Sequence, residues 1–135
     1  MTCQLCEAIN EKYRIFKENK SAFAMIIIEP LLEGHSLILP KRHITDLKSL
    51  TAEESKDLHE LILEVRERMD AVFECDSMAV LNGKGNTSQC HIHYQILPLK
   101  NRIDIRMLIS KTLNVPERVR LPTERLREMA DRLRD

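Results

Sequence analysis

The segment from Ala52 to Phe73 constrains the fold most, because its pattern suits one kind of element and that element must lie on something. Leu58, Leu61, Ile62, Val65, Met69, Val72 and Phe73 recur at three- and four-residue intervals, which gathers them on one face of an α-helix. Thr51 and Glu54 form a capping-box signature, the hydroxyl and the carboxylate each satisfying a backbone donor freed at the helix start. So long an apolar face needs an apolar partner, and the flanking sequence reads as strands. The helix is therefore predicted to lie across a sheet.

Tyr13 to Ile28 is strand-like and ends in the run Phe23-Ala24-Met25-Ile26-Ile27-Ile28, short enough for a buried strand. Pro30 and Gly34 punctuate a turn, and Ser36 to Leu39 reads as a second core strand stopped by Pro40. Met78–Leu81 and His91–Leu97 read as further strands around a glycine-containing loop, Asn82–Gln89. The first ten residues suit a short helical or knuckle-like start around Cys3 and Cys6, and Pro116 and Pro122 break the tail before a short amphipathic helix using Leu126, Met129 and Leu133. No repeat, low-complexity stretch or Gly/Ser linker interrupts the chain, and 135 residues suit a single domain, with 100–135 as an extension packed on it. Strands joined by short turns, with one long helix and a short C-terminal one, predict an α+β class with a mainly antiparallel sheet.

Composition excludes little. Hydrophobic residues at 43% and charged residues at 31% describe an ordinary globular chain, and a formal net charge of zero points to neither nucleic acid nor membrane. Residues 100–135 carry ten Lys/Arg against six Asp/Glu, an excess of four that the rest of the chain balances; a solvated surface accounts for it. No run approaches the ~18 apolar residues that span a bilayer, and the start, Met1-Thr2-Cys3-Gln4-Leu5-Cys6, lacks the basic-then-apolar layout of a signal peptide. The expected location is the cytoplasm, where a Cys-x-x-Cys pair is metal-binding or redox-active rather than a disulfide.

The chemistry lies in Cys90-His91-Ile92-His93-Tyr94-Gln95. Alternate residues of a strand share a face, so His91, His93 and Gln95 point one way while Ile92, Tyr94 and Ile96 point to the core. Two imidazoles and an amide over roughly 13 Å of strand do little for packing and suit a binding or catalytic surface; an exposed sheet face with chance histidines is the bland alternative.

Together with Gly34-His35-Ser36-Leu37-Ile38-Leu39-Pro40-Lys41-Arg42-His43 and Cys3-x-x-Cys6, in that order along the chain, this strand resembles the histidine-triad superfamily over residues 3–98. The resemblance implies a five-stranded antiparallel sheet, a homodimer, and a nucleotide substrate cleaved at a phosphate anhydride through a nucleotidyl-histidine. His93 would be the nucleophile, its other ring nitrogen held by an acceptor such as a backbone carbonyl. Gln95 stands where most members keep a third histidine, a substitution similar to that of the galactose-1-phosphate uridylyltransferase and diadenosine tetraphosphate phosphorylase branch. It can donate hydrogen bonds to a phosphoryl oxygen but cannot exchange a proton near neutral pH. Good leaving groups, and transfer of the nucleotidyl group to phosphate, are therefore expected.

The resemblance also implies a structural zinc held by Cys3, Cys6, His43 and His91, a filled Cys₂His₂ set that leaves no position for activating water. His35 is the nearby rival to His43, which motif position favours; His59, on the long helix, is expected in solvent. Asn82 and Ser88 resemble the substrate-orienting and phosphate-binding residues of the family, while the loop by itself, neither a Walker nor a Rossmann fingerprint, reads equally as a plain hairpin loop. Ile27 stands where members commonly carry the acid that grips the ribose hydroxyls. Cys75 and Cys90 read as ordinary thiols. The alternatives are a phosphoramidase or dinucleoside polyphosphate hydrolase of the same fold, and a zinc-stabilised nucleotide-binding module without turnover. Action on nucleic acid, as in the DNA-deadenylating relatives, is disfavoured by the few aromatics and the missing finger motif.

Overall fold

The computed structural model describes residues 3–82, 91–100 and 120–134. Strands β1 (Ile15–Glu18), β2 (Ala22–Ile26), β3 (Ser36–Pro40), β4 (Asp76–Asn82) and β5 (His93–Leu99) form one five-stranded sheet in the order β1-β2-β3-β5-β4, every neighbouring pair antiparallel. Helix α1 (Gln4–Glu7) opens the chain, α2 (Ala52–Phe73) connects β3 to β4, and α3 (Thr123–Leu133) closes it.

The expected single strand-like stretch from Tyr13 to Ile28 is a hairpin preceded by a 3₁₀ turn at Lys12–Arg14. Turn chemistry explains the break: Asn19 Oδ1 accepts from the Ser21 and Ala22 amides at 3.1 and 3.0 Å, an Asx turn that reverses the chain where periodicity alone would carry it on. Asn19 Nδ2 and Ser21 Oγ then bond Asp57 of α2, which ties the hairpin to the helix.

Helix α2 begins and ends as its sequence requires. The Thr51 hydroxyl accepts from the Glu54 amide and the Glu54 carboxylate accepts from the Thr51 amide, and Glu74 ends the helix in the left-handed region at φ 51°. Leu58, Leu61, Ile62, Val65, Met69 and Phe73 are buried. They pack with Leu126, Met129, Ala130 and Leu133 of α3 against Ala22, Ala24, Ile26, Ile38 and Ile96 on one sheet face. On the opposite face Phe23, Met25, Leu37 and Leu39 meet Leu5 and Ala8 of the N-terminal segment. This thinner layer brings Cys3 and Cys6 toward His91, just ahead of β5.

Gly34 is where the backbone has no alternative. Its φ of +88° disfavours any side chain, and a Cβ there would stand 2.7 Å from the Phe73 ring. The turn it makes delivers His35 to the start of β3.

Candidate active site and metal centre

β5 begins at His93, two residues later than its sequence suggests. Before it the chain leaves the ladder: the Ile92 amide donates to the carbonyl of Ile44 at 2.8 Å, so His91 sits outside the regular strand. The Nε2 of His91 lies 2.8 Å from the carbonyl oxygen of Pro40. A carbonyl can only accept, so Nε2 carries the proton and Nδ1 the lone pair. That Nδ1 lies 3.4 Å from Cys6 Sγ and 3.7 Å from Cys3 Sγ, and His43 Nδ1 lies 3.2 Å from Cys6 Sγ.

The ligand atoms of Cys3, Cys6, His43 and His91 all fall within 4.8 Å of one another. In a tetrahedral zinc site with Zn–S of about 2.3 Å and Zn–N of about 2.0–2.1 Å, sulfur and nitrogen ligands stand roughly 3.5 Å apart. Three of the four sulfur–nitrogen separations scatter around that value, and the whole set lies close enough together to suit one zinc ion in chemistry and size. The His43 and His91 rings meet edge-on with centroids 5.1 Å apart. Burial, and then the neighbouring imidazoles of His43 and His93, lower the pKa of His91 despite its bond to Pro40, which favours the neutral, ligating form. His35 lies outside this group.

His43 is held by its neighbours in sequence. Arg42 donates to both carboxylate oxygens of Glu54, at 2.9 and 2.7 Å, and to the Ser49 carbonyl at 3.0 Å. The capping box of α2 thereby also fixes the turn that presents His43.

His93 is 5% exposed, and its Nδ1 lies 2.9 Å from the carbonyl oxygen of His91. By the same rule Nδ1 carries the proton, which leaves the lone pair on Nε2. Gln95 follows two residues on, opposite Leu37 of β3 and Val80 of β4. Its Oε1 lies 2.8 Å from Nε2 of His35, a completely buried residue whose Nδ1 accepts from the Leu31 amide at 3.1 Å. The contact between His35 and Gln95 had no signature in the sequence, since it depends on which strands pair.

Asn82 stands opposite His93 in the β4–β5 register, while Ser88 and Cys90 lie outside the described residues. Ile27 packs among the apolar residues behind β2 and Glu29 is exposed. His59 is exposed on α2. The Cys75 thiol is pushed up to about 11, first by burial and then by Asp70, consistent with an unreactive thiol. Among the described residues no helix is long and apolar enough to cross a membrane.

A five-stranded antiparallel sheet backed by a long helix, with histidines at the head of the fifth strand and a Cys₂His₂ cluster beside them, defines a HIT-type α+β fold. The chain belongs to the HIT domain family, whose model matches residues 9–102. It is 34% identical over 90 residues to the bis(5'-adenosyl)-triphosphatase of Dictyostelium discoideum, a match covering 64% of this chain and 60% of that protein, so it spans about three-fifths of that relative's length. The fold is also that of a HIT-like protein from Bartonella henselae involved in cell-cycle regulation (TM-score 0.76, 19% identity, 98% of this chain and 95% of that one). A Zn-bound histidine triad family protein from Mycobacterium smegmatis superposes with TM-score 0.72 at 19% identity, over 98% and 94% of the two chains.

Proposed function

We propose that this chain is a zinc-containing nucleotide hydrolase or nucleotidyltransferase that cleaves a nucleoside phosphate anhydride through a nucleotidyl-histidine at His93. The observation that carries this reading is the bond from His93 Nδ1–H to the His91 carbonyl, which leaves the lone pair on Nε2, the nitrogen that acts as nucleophile. Nε2 attacks the α-phosphorus, forming a P–N bond as the P–O bond to the leaving phosphate breaks and its electron pair departs with that phosphate. Water, which gives up a proton to solvent, or inorganic phosphate then attacks the phosphorus, and the P–N electrons return to Nε2. Gln95 donates an N–H to a phosphoryl oxygen, while Asn82 and Ser88 orient the nucleotide. An amide cannot protonate a leaving group, so phosphate-type anions are favoured and transfer to phosphate is open, as in the uridylyltransferase and phosphorylase branch.

Zinc, when bound, supplies a rigid tetrahedral anchor. Cys3, Cys6, His43 and His91 would hold it, and the carbonyl of His91 would in turn orient His93. The relation to the Dictyostelium triphosphatase supports a dinucleoside polyphosphate as substrate, and the Mycobacterium relative is zinc-bound. A homodimer is part of the same reading.

His93→Gly tests the nucleophile: cleavage of bis(5'-adenosyl) triphosphate is expected to fall by at least ~10³-fold. The wild type should accumulate acid-labile, base-stable nucleotidyl phosphohistidine, and retained turnover in the variant would sink the assignment. Adding inorganic phosphate separates transfer from hydrolysis by its products. Cys3→Ser with Cys6→Ser should take bound zinc from one per chain to none, measured by elemental analysis.

A further inference from the structure

We infer that His35 is a positioning residue that locks the Gln95 carboxamide with its oxygen inward and its N–H groups toward substrate. Leu31 N–H can only donate, and it points at His35 Nδ1 from 3.1 Å. Nδ1 must therefore carry a lone pair, and a neutral imidazole then bears its proton on Nε2. That nitrogen lies 2.8 Å from Gln95, so the amide atom facing it must be an acceptor. The oxygen of Gln95 is assigned by this chain of donors and acceptors, where an isolated amide would be ambiguous by half a turn.

His35 is itself well placed to impose a direction. It is completely buried. Its amide donates to Leu32 O at 3.0 Å and its carbonyl accepts from Ile27 N at 3.1 Å. Gly34, pressed against Phe73 and Pro98, fixes the backbone just before it. The row Leu31 N–H, imidazole, carboxamide polarises in one sense, each acceptor making the next group a better donor. Gln95 consequently meets substrate as a donor only. The ligand class it selects is an oxygen that accepts, such as an anionic phosphoryl oxygen, over any group that must be met by an acceptor. This rests on the nucleotidyl-transfer reading above and assigns to His35, once a rival for the metal, a separate task.

The test uses bis(5'-adenosyl) triphosphate cleavage in six proteins besides wild type. His35→Ala should lower kcat roughly tenfold with KM changed less than about twofold, as expected when one hydrogen bond orienting a transition-state donor is lost. His35→Gln, whose amide places an N–H near the old Nε2, should restore most of that loss. Gln95→Ala and Gln95→Glu should be equally impaired, since the carboxylate still accepts from His35 but offers no N–H. In the Gln95→Ala background the His35→Ala change should cost nothing further. Additive losses in that double variant, or a Gln95→Glu variant as active as wild type, would overturn the inference. Because His35→Ala could unfold, ¹⁵N NMR of the wild type supplies a second readout: the His35 ring must be the Nε2–H tautomer, and an Nδ1–H or doubly protonated ring also overturns it. His93→Gly, the sixth variant, separates the two ideas. If it stays active the nucleotidyl reading falls and takes this one with it; if it is dead, the His35 results stand or fall by themselves.

Discussion

On the helix-bearing face of the sheet, Ala24, Ile26, Ile38 and Ile96 meet Leu61, Val65 and Met69 in an apolar layer. On the other face, near the head of β5, three imidazoles are buried, and each has its protons directed by a backbone group: His35 by the Leu31 amide, His91 by the Pro40 carbonyl, His93 by the His91 carbonyl. The difference is between non-directional and directional interactions. Apolar packing asks for volume and tolerates exchange of one aliphatic side chain for another. A buried ring nitrogen asks for a partner of one polarity at one place and tolerates neither its loss nor its reversal. Stability should therefore be read from the first face, and metal content and turnover from the second.

The sharpest way to break that division is to damage the apolar face alone. Met69, fully buried on α2, when changed to Ala should cost about 2–5 kcal/mol in urea denaturation, with zinc content and turnover per folded molecule unchanged. A loss of zinc below the unfolding transition would show that the faces are coupled.

Gly34→Ala falls between the two. The added methyl group enters the Phe73 ring at 2.7 Å and must hold a φ of +88°, for a cost of about 2 kcal/mol or more. Because His35 follows directly, this variant, unlike Met69→Ala, should also lower turnover measured on the folded fraction.

The smallest expected effect concerns Glu54, which belongs to the cap of α2 and to the turn before His43. Arg42 first, then the Thr51 amide, lower its pKa from the ordinary 4.5 to about 2. A carboxylate depressed on folding stabilises above its unfolded pKa and loses that contribution as pH falls through the folded one. Glu54→Ala should thus cost about 1 kcal/mol at neutral pH. The difference from wild type should shrink between pH 4.5 and pH 2, followed by denaturant titration at several pH values.

Several elements are legible in the chain itself. Helix α2 spans Ala52–Phe73 with the capping box its sequence spells out, and α3 buries Leu126, Met129 and Leu133 as their spacing requires. These are local patterns, written within a few residues of where they act. The start of β5 is less legible, because His91 and Ile92 find their partners in Pro40 at the end of β3 and in Ile44 just beyond it, both distant in sequence. The family resemblance implies the grouping of Cys3, Cys6, His43 and His91; residue types alone leave His35 a candidate, and its place outside the cluster, bonded to Gln95, sets it apart.

The sequence by itself determined the two amphipathic helices, which of their faces are apolar, and which side chains can ligate, attack or donate, because those properties belong to residue type and spacing. The tertiary structure decided which nitrogen of His91 carries the proton and which way Gln95 faces. Those choices are made by partners up to 60 residues apart for Gln95 and 51 for His91, and a hydrogen bond has no direction until both of its ends have been brought together.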